Sequence, residues 1–240
     1  AAFRTPDPSL PGRSVYFGPV LDEVHLPRHP FYPDAPRQSA GIPMLIGNTR
    51  EETRYFYAQD ASLQRLSWDE LPAQLAQAIY VDIDVPTDIA AYRRWYPQYS
   101  PTEVFFAAST AGRSWRGAVI EAELRAQQGA PTWAYQLDWR SPLDGGKWGA
   151  GHTLDIGLVF GNLGARDSLT GTGPEAQRLS TLMQDGFIAF ARHGRPGWAP
   201  YSLARRETMV WDLPPTLQHD PRGAERELFS KVPYVQRGTF

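Results

Sequence analysis

The sequence predicts an α/β fold that contains only part of a sheet. Three short apolar segments are predicted as strands, and amphipathic helices alternate with them along the chain. A glycine-rich loop carrying His152 comes after the second of these strands. Sheets in globular domains usually have about five or six strands. The missing strands are therefore expected to be encoded outside this sequence.

The three predicted strands are short and end at residues that interrupt regular structure. Residues 44–46 are apolar and lie between a proline and a glycine, which is typical of a buried strand. Residues 132–139 alternate aromatic and polar side chains and end before Ser141-Pro142. Residues 208–211 form a third candidate near the C-terminus. These segments supply the expected partial sheet.

Four other segments have the apolar periodicity of amphipathic helices. They run from a cap at Ser67 or Asp69 through Ile79, from a cap at Thr87 to Pro97, from Arg113 to Gln128, and from Leu179 to His193. A further turn, or a first turn of helix, is expected at Glu51 to Tyr57. The segment ending at His193 has the clearest apolar stripe, and Gly194 follows it where helices commonly end.

Composition excludes several functional classes. The 240 residues are 42% apolar and 21% charged, which is typical of a soluble globular protein, and the net charge of −2 favours neither nucleic acid nor an anionic membrane surface. The absence of cysteine excludes disulfides, thiolate metal sites and a cysteine nucleophile. No apolar run approaches the roughly 18 residues that suggest a membrane span. The sequence does not decide between a secreted and a cytoplasmic location.

The first residue indicates a processed product or a fragment. Ala1 is not a methionine, and no apolar segment typical of a signal peptide follows it. We therefore expect part of the protein to be encoded upstream of this sequence.

Two polar turns that follow predicted strands carry the candidate catalytic residues. Glu51 and Glu52 come after the first strand, and His152 and Asp155 come after the second. A histidine with a reference pKa of about 6.5 accepts and returns protons near neutral pH, and a carboxylate can hold its ring in one tautomer. The pattern therefore indicates acid–base chemistry, provided that the fold brings a carboxylate to the imidazole.

Five motifs in this order resemble the C-terminal half of the type B carboxylesterases, the family that includes cholinesterases and bacterial para-nitrobenzyl esterases. They are Phe17 to Asp22, Ile42 to Glu52, Trp133 to Asp138, His152 to Gly161, and Met183 to Gly194. The similarity covers nearly the whole chain, and the order and spacing of the motifs make it more specific than any one of them.

The resemblance implies an α/β-hydrolase fold, of which residues 1–240 form the C-terminal part of a single domain: one portion of the sheet with its covering helices. It implies hydrolysis of small-molecule carboxylic esters through an acyl-enzyme, with no cofactor and no metal. Glu52, rather than Glu51, falls on the family's triad acid, and His152 falls on its base. Tyr55 and Phe56 fall on positions that line the pocket. Asp155 is expected to brace its own loop.

The serine nucleophile of the family is missing from this sequence. The segment Gly112 to Gly117 has one residue too many for Gly-x-Ser-x-Gly and follows the acid instead of preceding it. Gly145-Gly146 is in the wrong part of the chain for an oxyanion hole. The resemblance therefore implies that the serine and the oxyanion hole come from a separate N-terminal half, and that the isolated chain is inactive.

Two alternatives stay open at this point. The chain could belong to an esterase-like binding or adhesion module that has lost the nucleophile, although retention of both Glu52 and His152 argues against that. It could also be a complete esterase with an unusual nucleophile, such as Ser114 or Ser141.

The remaining candidates have simpler explanations. His25 and His29 lie in a proline-rich segment expected at the surface, and His193 lies in the last turn of a predicted helix, where a cation is favourable. The aspartates at 82, 84 and 88 lack the glycine and the final glutamate of a calcium-binding loop, so a helix cap or an exposed loop is expected there.

Overall fold

The computed structural model describes residues 20–22, 24–79 and 81–233, and the backbone of two short antiparallel strands, β1 (Thr5–Pro6) and β2 (Ser14–Val15). The proline-rich beginning of the chain and Phe17 to Pro19 of the first family motif otherwise lie outside the described residues.

A four-stranded sheet forms the centre of the fold. It consists of β3 (Met44–Thr49), β4 (Thr132–Leu137), β5 (Glu207–Trp211) and β6 (Thr216–His219), in that spatial order. The first three strands are parallel, and β6 is antiparallel to β5. Within the described part of the chain, β3 pairs on one side only, so the sheet has an open edge there.

The three strands predicted from sequence are confirmed, with different ends. β3 extends to Thr49, and β5 begins one residue earlier than predicted. β4 ends at Leu137 because the next two backbone N–H groups, of Asp138 and Trp139, both donate to the carbonyl oxygen of Trp211. β6 was not predicted: all four of its residues are exposed, so its sequence lacks the apolar alternation of a half-buried strand.

Eight α-helices surround or extend this sheet in the described residues. They are α1 (Glu52–Tyr57), α2 (Leu71–Ala78), α3 (Val85–Trp95), α4 (Pro101–Thr110), α5 (Arg116–Gln127), α6 (Leu154–Phe160), α7 (Pro174–His193) and α8 (Gly223–Phe229). A π-helical turn, Ala111–Trp115, joins α4 to α5. No helix in these residues is both long and apolar enough to cross a lipid bilayer.

One predicted helix cap is wrong, and another is supported by its hydrogen bonds. Asp84, and not Thr87, caps α3: its carboxylate accepts the backbone N–H of Thr87 at 3.2 Å. α2 begins at Leu71, and the turn before it has the reciprocal bonds of a capping box: the Ser67 hydroxyl accepts the backbone N–H of Glu70, and the Glu70 carboxylate accepts the backbone N–H of Ser67. Ser67 therefore caps the turn that leads into this helix. At α3, the carboxylate of Asp84 thus has the role that the sequence alone assigned to Thr87.

Three helices were not predicted. α4 begins with a capping box, in which Ser100 and Glu103 bind each other's backbone N–H groups, and this signal is visible in the sequence. α6 occupies much of the segment expected to be a glycine-rich loop. α8 is a short helix near the C-terminus. The long helix ending at His193 is confirmed, but it starts earlier, at Pro174.

Helices cover both faces of the sheet. Ala134 of β4 packs with Ala122 of α5, whereas the neighbouring Tyr135 packs against Phe187 of α7 at a ring-centroid distance of 5.4 Å. Successive residues of a strand point to opposite faces. The observed architecture is therefore a layered α/β fold, with α5 on one face and α6 and α7 on the other.

Candidate active site

Glu52 lies where β3 ends and α1 begins. Its side chain is 11% exposed, and its Oε1 accepts the backbone N–H of Thr49 at 2.8 Å. As the first residue of a helix, the carboxylate also lies near the positive end of the helix dipole. Residues close in the chain therefore help to orient this carboxylate.

His152 reaches Glu52 from a loop between β4 and α6. The Nδ1 atom of its ring lies 2.5 Å from Oε2 of Glu52, across 100 positions of sequence. Thr153, which follows, has a positive φ of 70°, an uncommon conformation for a β-branched residue. The two carboxylate oxygens of Glu52 have different partners: Oε1 accepts the backbone N–H of Thr49, and Oε2 contacts the imidazole.

This arrangement determines how the imidazole can exchange protons. A carboxylate at Nδ1 favours the neutral tautomer with the proton on Nδ1, which makes Nε2 the acceptor. In the part of the chain that the structure describes, no group hydrogen-bonds Nε2. The His152 side chain is about half-exposed, so a reacting group can approach this nitrogen.

Tyr55 and Phe56 flank the imidazole. Both are on α1, and their ring centroids lie 6.0 and 5.1 Å from that of His152. Their rings meet edge-on, with centroids 5.6 Å apart, and both remain substantially exposed. The guanidinium of Arg113 lies over Phe56, 4.4 Å from the ring centroid. The two aromatic rings form an apolar wall beside His152.

Glu51 is oriented differently from Glu52. Its Oε1 accepts two hydrogen bonds from Arg54, at 3.0 and 2.7 Å, and its Oε2 lies 2.9 Å from Arg140. The same Oε2 accepts the backbone N–H of Ala150 at 3.0 Å. Glu52, and not Glu51, therefore contacts the imidazole.

Asp155 connects β4 to the beginning of α6. It accepts the hydroxyl of Tyr135 at 2.9 Å, and burial raises the pKa of both groups. The nearby negative charge of Glu52 also raises the pKa of Asp155, although the Tyr135 hydrogen bond opposes this. Asp155 makes no hydrogen bond to His152. Its side chain accepts hydrogen bonds at the start of α6, as expected, and it also joins that helix to Tyr135 of β4.

Ser114 and Ser141 bind other groups. Ser114 lies in the π-helical turn, where its hydroxyl donates to the carbonyl of Thr110 at 3.4 Å. Ser141 is buried, and its hydroxyl donates to the carbonyl of Leu169 at 2.5 Å. Neither hydroxyl hydrogen-bonds His152, so the structure gives no support to either serine as the nucleophile.

Residues that could hold a metal ion are not gathered at this site. Over residues 20–22, 24–79 and 81–233, no group of three or more histidine or carboxylate side chains is arranged for a metal. Asp84, one of the three aspartates considered above, is used as a helix cap.

Several residues around the site were not found by sequence reasoning. Glu51 drew attention only as a competing acid, and Arg54 and Arg140 gave no signal. Their contacts join α1 to the segments that follow β4, and such pairings depend on the fold and not on local periodicity.

The sequence profile described as "Carboxylesterase family" matches residues 8–225. The chain is 29% identical to the para-nitrobenzyl esterase of Bacillus subtilis (strain 168) over 221 residues, covering 89% of the chain and 43% of that protein. It is 27% identical to the phenmedipham hydrolase of Pseudarthrobacter oxydans over 184 residues, covering 75% of the chain and 36% of that protein. The chain thus spans less than half the length of these relatives.

Solved structures show the same relationship. A carboxylesterase of Geobacillus stearothermophilus superimposes with a TM-score of 0.70 at 27% identity, over 89% of this chain and 46% of that one. A structure described as PNB esterase gives a TM-score of 0.66 at 30% identity, over 90% of this chain and 44% of that one.

Proposed function

Because the chain belongs to the carboxylesterase family and has the C-terminal portion of an α/β-hydrolase fold, we propose that it supplies the acid and the base of an ester-hydrolysing triad. The observation that carries this proposal is the 2.5 Å contact between Nδ1 of His152 and Oε2 of Glu52. In this proposal the chain is one part of a catalytic domain, and the remaining part supplies the other groups of the active site.

In this proposal His152 is the general base and then the general acid. Its Nε2 takes the proton of a serine hydroxyl as that oxygen attacks the ester carbonyl carbon, and returns it to the departing alkoxide. The serine is left acylated, and water activated by the same nitrogen releases the acid and restores the serine. Glu52 keeps the ring in the required tautomer and stabilises the imidazolium that forms in each step.

The serine and the oxyanion hole come from an N-terminal half of the same enzyme. Three observations support this. The sequence lacks Gly-x-Ser-x-Gly, the chain covers only 43% of the B. subtilis relative, and β3 has an open edge within the described residues, where another strand can pair. Partners of the chain are then this N-terminal half and a small-molecule ester.

The exposed rings of Tyr55 and Phe56 suit an ester with an apolar or aromatic group. They lie beside the imidazole that must face the scissile bond. Offset and edge-on ring contacts contribute about 0.5–1.5 kcal/mol beyond apolar burial. The relative that is a para-nitrobenzyl esterase by name fits this chemistry, and we assign the two rings to the substrate pocket on these grounds.

The experiment is to measure para-nitrophenyl ester turnover by the chain alone and by the chain joined to the N-terminal portion of the B. subtilis relative. Turnover and labelling of one serine by a fluorophosphonate are expected only in the joined protein. They should be lost in His152→Ala and retained in His193→Ala, which changes an exposed histidine at the end of α7. Robust turnover by the chain alone that survives Ser114→Ala would overturn the division of the site between two halves.

A further inference from the structure

We propose that Glu51 is a positioning residue, which holds the loop bearing His152 at the place where the imidazole meets Glu52. This inference rests on the proposed function, because the position of the ring matters for catalysis only if His152 acts as a base. The proposal can be tested without measuring turnover, because it states that Glu51 controls the contact between the side chains of His152 and Glu52.

Glu51 binds both backbone polar groups of one loop residue. Its own N–H donates to the carbonyl of Ala150 at 2.8 Å, and its Oε2 accepts the N–H of Ala150 at 3.0 Å. Ala150 lies two residues before His152. The segment that leads to His152 is therefore held to Glu51 by two hydrogen bonds, one through the N–H and one through the carbonyl of Ala150.

The negative charge of Glu51 is needed for this arrangement. The buried carboxylate uses Oε1 for two bonds from Arg54 and Oε2 for Arg140 and Ala150, so every group that faces it is a donor. A carboxylate buried without such partners is costly, and removing one member of a buried pair leaves the others uncompensated. A glutamine of the same shape would turn its NH₂ group toward one of these donors.

The loop lies in close contact with the Glu51 carboxylate. An added Cβ at Gly149 would come within 2.6 Å of Cδ of Arg54 and clash with Oε2 of Glu51. The backbone of Gly149 also has a positive φ of 53°, which favours glycine. The chain therefore passes directly over the Glu51–Arg54 pair, and a displaced carboxylate would displace the loop.

The test measures the tautomer of His152 in the 240-residue chain from the ¹⁵N resonances of its ring nitrogens. We expect the Nδ1–H tautomer to predominate, and Glu51→Gln to lower the ratio of Nδ1–H to Nε2–H by about tenfold. That is the size of effect expected when a hydrogen bond to a charged group is lost. A residue that only contributed to global stability would not change this ratio in the folded protein.

Glu207→Gln is the matched control. Glu207 is as buried as Glu51, and it likewise accepts a backbone N–H, from Ser202 at 3.0 Å, and pairs with an arginine, Arg205. It lies at the beginning of β5, in another part of the sheet. We expect Glu207→Gln to leave the His152 ratio unchanged within about twofold, because its partners lie away from the loop that carries His152.

Arg140→Gln decides the question if Glu51→Gln does not fold. The Arg140 side chain is half-exposed, so its replacement is tolerated more easily, and it contacts the same Oε2 that accepts Ala150. The expected change is about threefold in the same direction. An unchanged ratio in folded Glu51→Gln, or in Arg140→Gln when that variant alone folds, overturns the proposal.

The tautomer experiment and the ester-turnover experiment can fail independently of each other. A shifted tautomer ratio in Glu51→Gln, together with no ester turnover by the joined wild-type protein, retains the positioning role and removes the esterase. Ester turnover by the joined wild-type protein, together with an unchanged ratio in Glu51→Gln, retains the esterase and removes the positioning role.

Discussion

Glu51 and Glu52 are neighbours in the chain, yet their side chains hold different parts of the segment that carries His152. Glu52 contacts the imidazole through Oε2, whereas Glu51 binds the backbone of Ala150 through its own Oε2. The turn between β3 and α1 sends the two carboxylates in different directions, because Glu51 precedes the helix and Glu52 is its first residue. One turn of chain therefore fixes both the ring and the loop behind it.

Replacing the two proposed triad residues should affect ester turnover by different amounts. In the joined protein, His152→Ala should lower kcat by roughly 10⁶-fold and Glu52→Ala by roughly 10⁴-fold. The loss is larger for His152 because the imidazole transfers the proton itself, whereas Glu52 orients the ring and stabilises the imidazolium. The measurement is steady-state hydrolysis of a para-nitrophenyl ester. Equal activity in wild type and Glu52→Ala would contradict the triad.

Removing either aromatic ring beside His152 should weaken binding of aromatic esters. Phe56→Ala and Tyr55→Ala should each lower kcat/KM for a para-nitrobenzyl ester by about 10-fold or more, with a smaller effect on a methyl ester of the same acid. The control is Trp68→Ala, which removes a partly exposed ring that lies under Arg93, outside the site. A uniform loss for both esters would mean that the rings support the fold and do not select the substrate.

Gly149→Ala should destabilise the protein more than Gly145→Ala. Both glycines have positive φ, so each alanine costs about 1 kcal/mol of backbone strain. An added Cβ meets nothing within 4 Å at Gly145, whereas at Gly149 it clashes with Glu51. We expect Gly149→Ala to lower the free energy of unfolding by about 3 kcal/mol in total, measured in urea. Equal losses in the two variants would show that the loop adjusts freely around Glu51.

Glu225 should make stability depend on pH in the acid range. Burial by itself would raise the pKa of its carboxyl, but Arg222 and Arg50, with a hydrogen bond from Tyr92 at 2.7 Å, lower that pKa to about 2. A depressed pKa means that the stabilisation is complete above the unfolded value of 4.5 and is lost as the pH falls toward 2. The expected loss from this group is about 3 kcal/mol.

The variant Glu225→Gln tests this assignment. It should lower the free energy of unfolding at pH 7 by about 3 kcal/mol, because it leaves Arg222 buried without its partner, and it should flatten the pH dependence between 4.5 and 2. Glu227→Gln, two residues away, changes a side chain that is 75% exposed and should have little effect. If both variants show the same acid-range slope as wild type, Glu225 is not the group that titrates.

Some of the structure follows from local patterns in the sequence. Strands β3, β4 and β5 were predictable because short apolar runs bounded by turn residues need only local propensity and burial. The end of α7 was predictable because Gly194 takes a left-handed conformation that few other residues adopt. Glu52 and His152 were named from motifs that resemble a family, and their roles in catalysis remain predictions.

Other elements left weak signals or none. Strand β6 is exposed on every residue, so nothing in its hydrophobicity distinguishes it from a loop. Asp84, three residues before the predicted cap, caps α3 because its carboxylate accepts the backbone N–H of Thr87. The sequence offers several polar residues near each helix end, and the backbone geometry selects among them.

The sequence by itself determined an α/β chain with a partial sheet, a histidine after β4 and carboxylates after β3. The tertiary structure alone decided that Glu51 faces Arg54, Arg140 and Ala150, and that Glu225 meets Arg50 and Tyr92. It also brings the imidazole to Glu52, the residue that the family resemblance had already named. The reason is physical. Periodicity and turn chemistry depend on residues a few positions apart, whereas a hydrogen bond depends on a distance of about 3 Å that the folded chain alone establishes between residues up to 133 positions apart.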